Sequence, residues 1–113
     1  MPRFKTRYFE EINNENMDVD LLKMLDQARQ NAGIPFIINS AYRTPEENKR
    51  AGGKRNSAHL TGNAVDIRAT NSTQRFKILY ALIMVGFERI GIHKRFIHAD
   101  NDKTKPAGVV WMY

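Results

Sequence analysis

Three residues of the sequence carry side chains that could do metal chemistry together: His59, Asp66 and His98. Two imidazoles and one carboxylate around a zinc ion leave a fourth position open for water, which is the pattern of a hydrolytic centre and not of a closed structural one. The spacing imposes a condition. Seven residues of straight strand between His59 and Asp66 would span roughly 23 Å at about 3.3 Å per residue, too far for two ligands of one ion. The chain must reverse between them, and Leu60-Thr61-Gly62-Asn63 offers the means, because Gly62 can take positive φ and Asn63 tolerates it. In a strand running from Ala64 to Arg68, Ala64 and Asp66 share one face while Val65 and Ile67 occupy the other. Likewise Phe96-Ile97-His98-Ala99-Asp100 puts His98 and Asp100 on one face, so Asp100 could serve as a partner behind the ligand or as a general base. Taken singly, each residue also has a structural role open to it: a hydrogen-bonded strand histidine, or a carboxylate that caps a turn or helix.

The elements that must position these residues can be read from the pattern. Leu21, Met24, Leu25 and Ala28 form an amphipathic stripe predicting a helix over 18–32, with Asp18 at its start and Gly33 at its end. Ile34 to Asn39 reads as a buried strand. Thr44-Pro45-Glu46-Glu47 is a helix start, and Gly52-Gly53 ends that short helix. A third helix is expected from a cap at Ser72 to about Val85, its core face formed by Phe76, Leu79 and Ile83 with Ile78 and Leu82 beside them. Strands over 87–92, 96–100 and 109–113, with a turn over 102–108, complete an α+β domain with a largely antiparallel sheet and about three helices. Residues 1–113 read as one domain. Met17, Met24, Met84 and Met112 read as core or packing residues and not as ligands.

Composition narrows the partners. The chain has 113 residues and no cysteine, so disulfides and thiolate metal sites are excluded, leaving histidine and carboxylate as ligands. Its 18 Lys+Arg against 12 Asp+Glu give a net charge of +6, which favours acidic partners. The longest apolar stretch, 78–87, is far short of the roughly 20 residues of a membrane span, so membrane insertion is not expected. The basic start, Met1 to Arg7, is followed by polar residues where an export signal would be apolar, so the protein is expected to be cytoplasmic as made. The cluster Lys49, Arg50, Lys54 and Arg55 lacks interleaved aromatic residues for base stacking, and nucleic acid is not the expected partner.

Ser57-Ala58-His59-Leu60-Thr61-Gly62-Asn63-Ala64-Val65-Asp66 resembles S-x-H-x-x-G-x-A-x-D, the metal-binding signature of the D-alanyl-D-alanine carboxypeptidase family of zinc peptidases, which shares a fold with the Hedgehog signalling domain. Ser40-Ala41-Tyr42-Arg43-Thr44 is similar to that family's S-G-Y-R-[ST] segment, and Phe96 to Asp100 to its F-[IV]-H-x-D segment. The likeness runs from about Met17 to Tyr113 with the three motifs in the family's order. It implies a single Zn²⁺ held by His59, Asp66 and His98, and a peptidoglycan stem peptide as substrate, cut as a carboxypeptidase or an endopeptidase. It further implies that Arg43 binds or polarises a substrate carboxylate or carbonyl; from sequence alone, an ion pair with Glu46 or Glu47 is equally open to it. Ser57 could orient His59. Tyr42 and Trp111 could line the groove, although strand aromatics more often pack in a core. Many members carry an acidic residue two or three positions before the last ligand, where this chain has Arg95 and Phe96. The general base therefore falls to Asp100 first, His93 second and Glu88 third. A small monomeric domain of this kind would suit a phage or prophage lysis enzyme that reaches the wall after release, and a zinc-bearing, non-catalytic wall-binding module is the rival expectation.

Overall fold

A computed structural model describes residues 4–113; Met1, Pro2 and Arg3 of the basic N-terminal stretch lie outside the described residues. Helix α1, Val19–Ala32, starts where the side chain of Asp18 accepts a hydrogen bond from the Leu21 amide, and it ends at Gly33 with φ 69°. Strand β1, Ile38–Ser40, follows, then α2, Pro45–Arg50, opened by a capping box in which Thr44 and Glu47 satisfy each other's backbone amides. A 3₁₀ turn, Ala58–Thr61, leads through Gly62 into β2, Ala64–Arg68. Helix α3, Ser72–Met84, and strands β3, Arg89–Ile92, β4, Phe96–Asp100, and β5, Val109–Met112, complete the described chain.

The sheet order is β1-β2-β4-β3-β5, antiparallel throughout except for the parallel pair β3 and β5. This is the α+β, largely antiparallel arrangement that the sequence predicts. Alternation divides the sheet into two faces. Val65 and Ile67 of β2, Ile90 of β3, and Ile97 and Ala99 of β4 enter the core with Leu21, Leu22 and Leu25 of α1 and Ile78 and Leu82 of α3. On the opposite face the register pairs Asp66 with His98, His98 with Gly91, and Gly91 with Trp111, so one row crosses four strands.

Several expectations need correction. The apolar run 34–39 forms a strand only at Ile38–Ser40, and Ile37 is exposed; Pro35 has no amide to give a ladder, and β1 lies at the sheet edge. The cap of α3 is Asn71, not Ser72, its side chain accepting from the Gln74 amide. The core face of α3 is Ile78, Ala81 and Leu82, whereas Phe76 and Ile83 are 67% and 50% exposed. A small alanine on that stripe lets α3 approach α1, whose own buried face includes Ala28; choosing the bulkier side chains rotated the reading around the helix. Met17 is buried, but Met84 and Met112 are exposed. No helix among the described residues is long and apolar enough to cross a membrane.

Candidate metal centre

His59 is set by its turn. The Ser57 hydroxyl accepts from the His59 amide at 3.2 Å, and the His59 carbonyl accepts from the Arg43 amide at 3.0 Å. Its Nδ1–H donates to the Ala41 carbonyl at 2.6 Å, which leaves the Nε2 lone pair pointing the other way. That Nε2 is 3.3 Å from Oδ1 of Asp66, and Nδ1 of His98 is 3.0 Å from the same oxygen. The three ligand atoms lie within 4.8 Å of one another, and all three residues are buried. Donors about 2.0–2.1 Å from a tetrahedral zinc are spaced a little over 3 Å apart, which the two spacings to Asp66 Oδ1 already match.

Electrostatics hold the carboxylate ready. Burial alone would push the Asp66 carboxyl up, but the His59 and His98 imidazoles, which donate to it only when both ring nitrogens carry protons and no ion is bound, outweigh burial and keep it well below the usual carboxylate range. Arg43 reaches the other oxygen of the same carboxylate: its Nη2 lies 3.3 Å from Asp66 Oδ2, while Nε donates to Ser40 Oγ at 2.9 Å and Nη1 to Asn48 Oδ1 at 3.4 Å. The ion-pair partner of Arg43 is thus Asp66, and neither Glu46 nor Glu47; Glu47 accepts instead from the Thr44 amide.

The model of the Peptidase M15 family matches residues 4–100, which include all three ligand candidates. The chain belongs to the Peptidase M15 family. M15 peptidases are zinc-dependent, in keeping with the donor set just described. A search of curated proteins returns no significant match.

In this M15 peptidase the ligand group opens onto a cavity of about 690 Å³, walled by the 51–58 segment on one side and by Trp111, Met112 and Tyr113 on the other. Of the cations that line it, Arg43 pairs with Asp66, Arg89 with Asp100 and Lys105 with Asp102, and Lys54 has no carboxylate partner among the described residues. The net charge of +6 over the whole chain favours an acidic ligand.

The remaining site candidates are placed as follows. Ser57 lines the cavity and caps the turn that carries His59. Tyr42 does not line it and packs, half-buried, against the core. His93 lies beyond β3 in the turn to β4, with its ring stacked on Phe96 at 4.4 Å and its Nδ1 accepting from the Arg95 amide. Glu88 lines a different cavity. The geometry therefore brings neither His93 nor Glu88 to the ligands, because the β3–β4 turn carries one past the end of the sheet and the other precedes β3. Asp100 is adjacent to them, but its oxygens are engaged: Oδ2 with Nε2 of His98 at 2.7 Å, Oδ1 with Arg89 Nε at 2.8 Å and the Asp102 amide at 3.1 Å.

Sequence reasoning missed Asn48, Arg89 and Gly91. Asn48 is buried, supports Arg43, and donates to the Lys54 carbonyl at 2.8 Å. It sits under Gly53, where a Cβ would meet its Oδ1 at 2.0 Å; the Gly52-Gly53 pair was the available signal. Trp111, expected as a core residue, instead lines the cavity, its ring 5.4 Å from that of His98.

The cavity's border with its neighbours is strapped by Lys105, whose Nζ donates to the Asn56 carbonyl at 2.6 Å and to the Asp102 carboxylate. Burial pushes Asp102 up, but hydrogen bonds from Lys105 and Thr104 outweigh it and hold its carboxyl at about 2, below the 3.8 of a free aspartate. A depressed carboxyl contributes stability that is present above its unfolded value and lost as pH falls through its folded one. Asp102→Asn is accordingly expected to unfold at a lower temperature than the native chain at pH 5, with the gap closing towards pH 2; a gap of equal size at both values in calorimetry would contradict this.

Proposed function

We propose that this chain is a zinc-dependent peptidase of the bacterial wall, hydrolysing an amide bond in the stem peptides of peptidoglycan. The observation that carries the reading is the convergence of His59 Nε2, Asp66 Oδ1 and His98 Nδ1, three residues that line one cavity. Stem peptides carry free carboxylates, which suits the net charge of +6 on the chain. Zinc would lower the pKa of water there to about 7 and polarise the scissile carbonyl. Asp66 and the two imidazoles would hold the ion. Arg43 aims Asp66 through their ion pair, and its guanidinium, 16% exposed at the cavity, remains within reach of a substrate oxygen.

Because both carboxylates on the cavity are already engaged, a non-catalytic wall-binding module is a second reading. Zinc-loaded protein incubated with peptidoglycan fragments and followed by mass spectrometry decides between them. A new amine terminus, absent with His59→Ala, is the expected result, and its position separates carboxypeptidase from endopeptidase action. Binding with no cleavage across several pH values and wall chemistries would overturn the peptidase.

A further inference from the structure

We infer that Asp100 and Arg89 are positioning residues for His98, which fix it as a ligand through Nδ1, and that Asp100 is not the proton acceptor of the reaction. The inference rests on the metal centre proposed above. His98 is held from three directions: Asp66 in front of Nδ1 at 3.0 Å, Asp100 behind Nε2 at 2.7 Å, and the Trp111 ring beside it at 5.4 Å. With Nε2–H donating to a carboxylate, only Nδ1 has a lone pair to give, and the carboxylate makes the imidazole a better donor. His59 is oriented by the mirror arrangement, its Nδ1–H on a carbonyl and its Nε2 free.

Asp100 is itself immobilised. It is 2% exposed, and three hydrogen bonds occupy most of its roughly four acceptor positions. Arg89 stands opposite it in the β3–β4 register, and a second donor, Nη1, reaches the Pro106 carbonyl at 2.6 Å. The guanidinium also lies 5.1 Å from the centre of the Trp111 ring. Trp111 can take this place because residue 91 is glycine: a Cβ there would come within 2.5 Å of the indole Nε1. Arg89, Trp111 and Asp100 therefore brace one another around a single imidazole.

The test measures zinc affinity by chelator competition and the visible spectrum of the cobalt-substituted protein, for Asp100→Ala, Asp100→Asn and Arg89→Met, alongside kcat at saturating zinc. Asp100→Ala is expected to weaken zinc binding by about 10–100-fold and to alter the cobalt spectrum. Asp100→Asn, whose amide oxygen can still accept from Nε2–H, should recover part of the loss, and Arg89→Met should give a smaller shift in the same direction. Should Asp100→Ala not fold, the near-isosteric Asp100→Asn carries the comparison. Native affinity and spectrum combined with a kcat lowered by about 10²–10⁴-fold, the range for loss of a general base, would overturn the inference. So would native behaviour in every measurement. If the native protein cleaves no wall peptide, the peptidase reading fails, while the affinity and cobalt spectra still judge the positioning role.

Discussion

Asp66→Asn protein is expected to lose zinc affinity by more than the roughly 100-fold that removal of an outer partner costs, and with it any hydrolysis of wall peptide. Asparagine keeps the volume and one oxygen, so the change isolates the charge. In the native chain one oxygen, Oδ1, faces both imidazoles, and the other faces Arg43. Removing the carboxylate leaves the Arg43 guanidinium without its ion-pair partner beside a divalent cation, so two positive groups would then share a mostly buried space. The same experiment reads out in stability. A ligand that binds only the folded state contributes about 2.7 kcal/mol at 100 times its dissociation constant, so zinc should raise the unfolding temperature of the native protein, chelation should reverse the rise, and Asp66→Asn should show neither effect. Native zinc affinity in Asp66→Asn would remove the carboxylate from the centre altogether.

Gly62→Ala should be among the most destabilising single methyl additions in the chain, at no less than about 3 kcal/mol, combining a left-handed backbone penalty with an overlap that cannot relax. Gly62 has φ 71°, and a Cβ there would lie 1.8 Å from the Asn16 carbonyl oxygen and 2.9 Å from Met17 Cα. Both obstacles are backbone. The Gly62 carbonyl also accepts from the Asp18 amide, the N-cap of α1, so the turn and the helix start are joined at this point. Gly33 is the control: φ 69° with nothing within 4 Å, so Gly33→Ala should cost only about 1 kcal/mol for its conformation. Urea midpoints of the two variants check the contrast, and equal losses would mean that the Asn16 contact yields easily. The Gly62 substitution should also weaken zinc binding, since the turn it closes carries His59.

What could be read from sequence follows how local each determinant is. The reversal at Gly62 and the period-two alternation of β2 and β4 are properties of short segments, so the shared face of Asp66, His98 and Asp100 was legible, as were the caps of α1 and α2. Asn63 was not needed for positive φ; its side chain instead donates to Asn101, 38 residues away. Arg89 and the Gly91–Trp111 contact depend on which strands become neighbours, and the parallel pairing of β3 with β5 leaves no mark in either segment alone. Asn48 was hidden for a similar reason, because its importance comes from what folds over it. The rotated reading of α3 shows that residue size is a poor guide when two helices must come close. The N-terminal segment, whose Phe9 and Ile12 are buried in the core, carries too few periodic positions to announce that role.

The row of residues that crosses the sheet through Asp66, His98, Gly91 and Trp111 makes metal uptake a gauge of strand pairing. Side chains alternate, so sliding β4 by one position against β2 would bring Ile97 or Ala99 opposite Asp66 and turn the imidazole into the apolar core. A chain so misassembled could keep much of its secondary structure and compactness while holding only two of its three donors. Binding one ion per chain would therefore certify the alignment of the sheet, a check that neither circular dichroism nor molecular size provides.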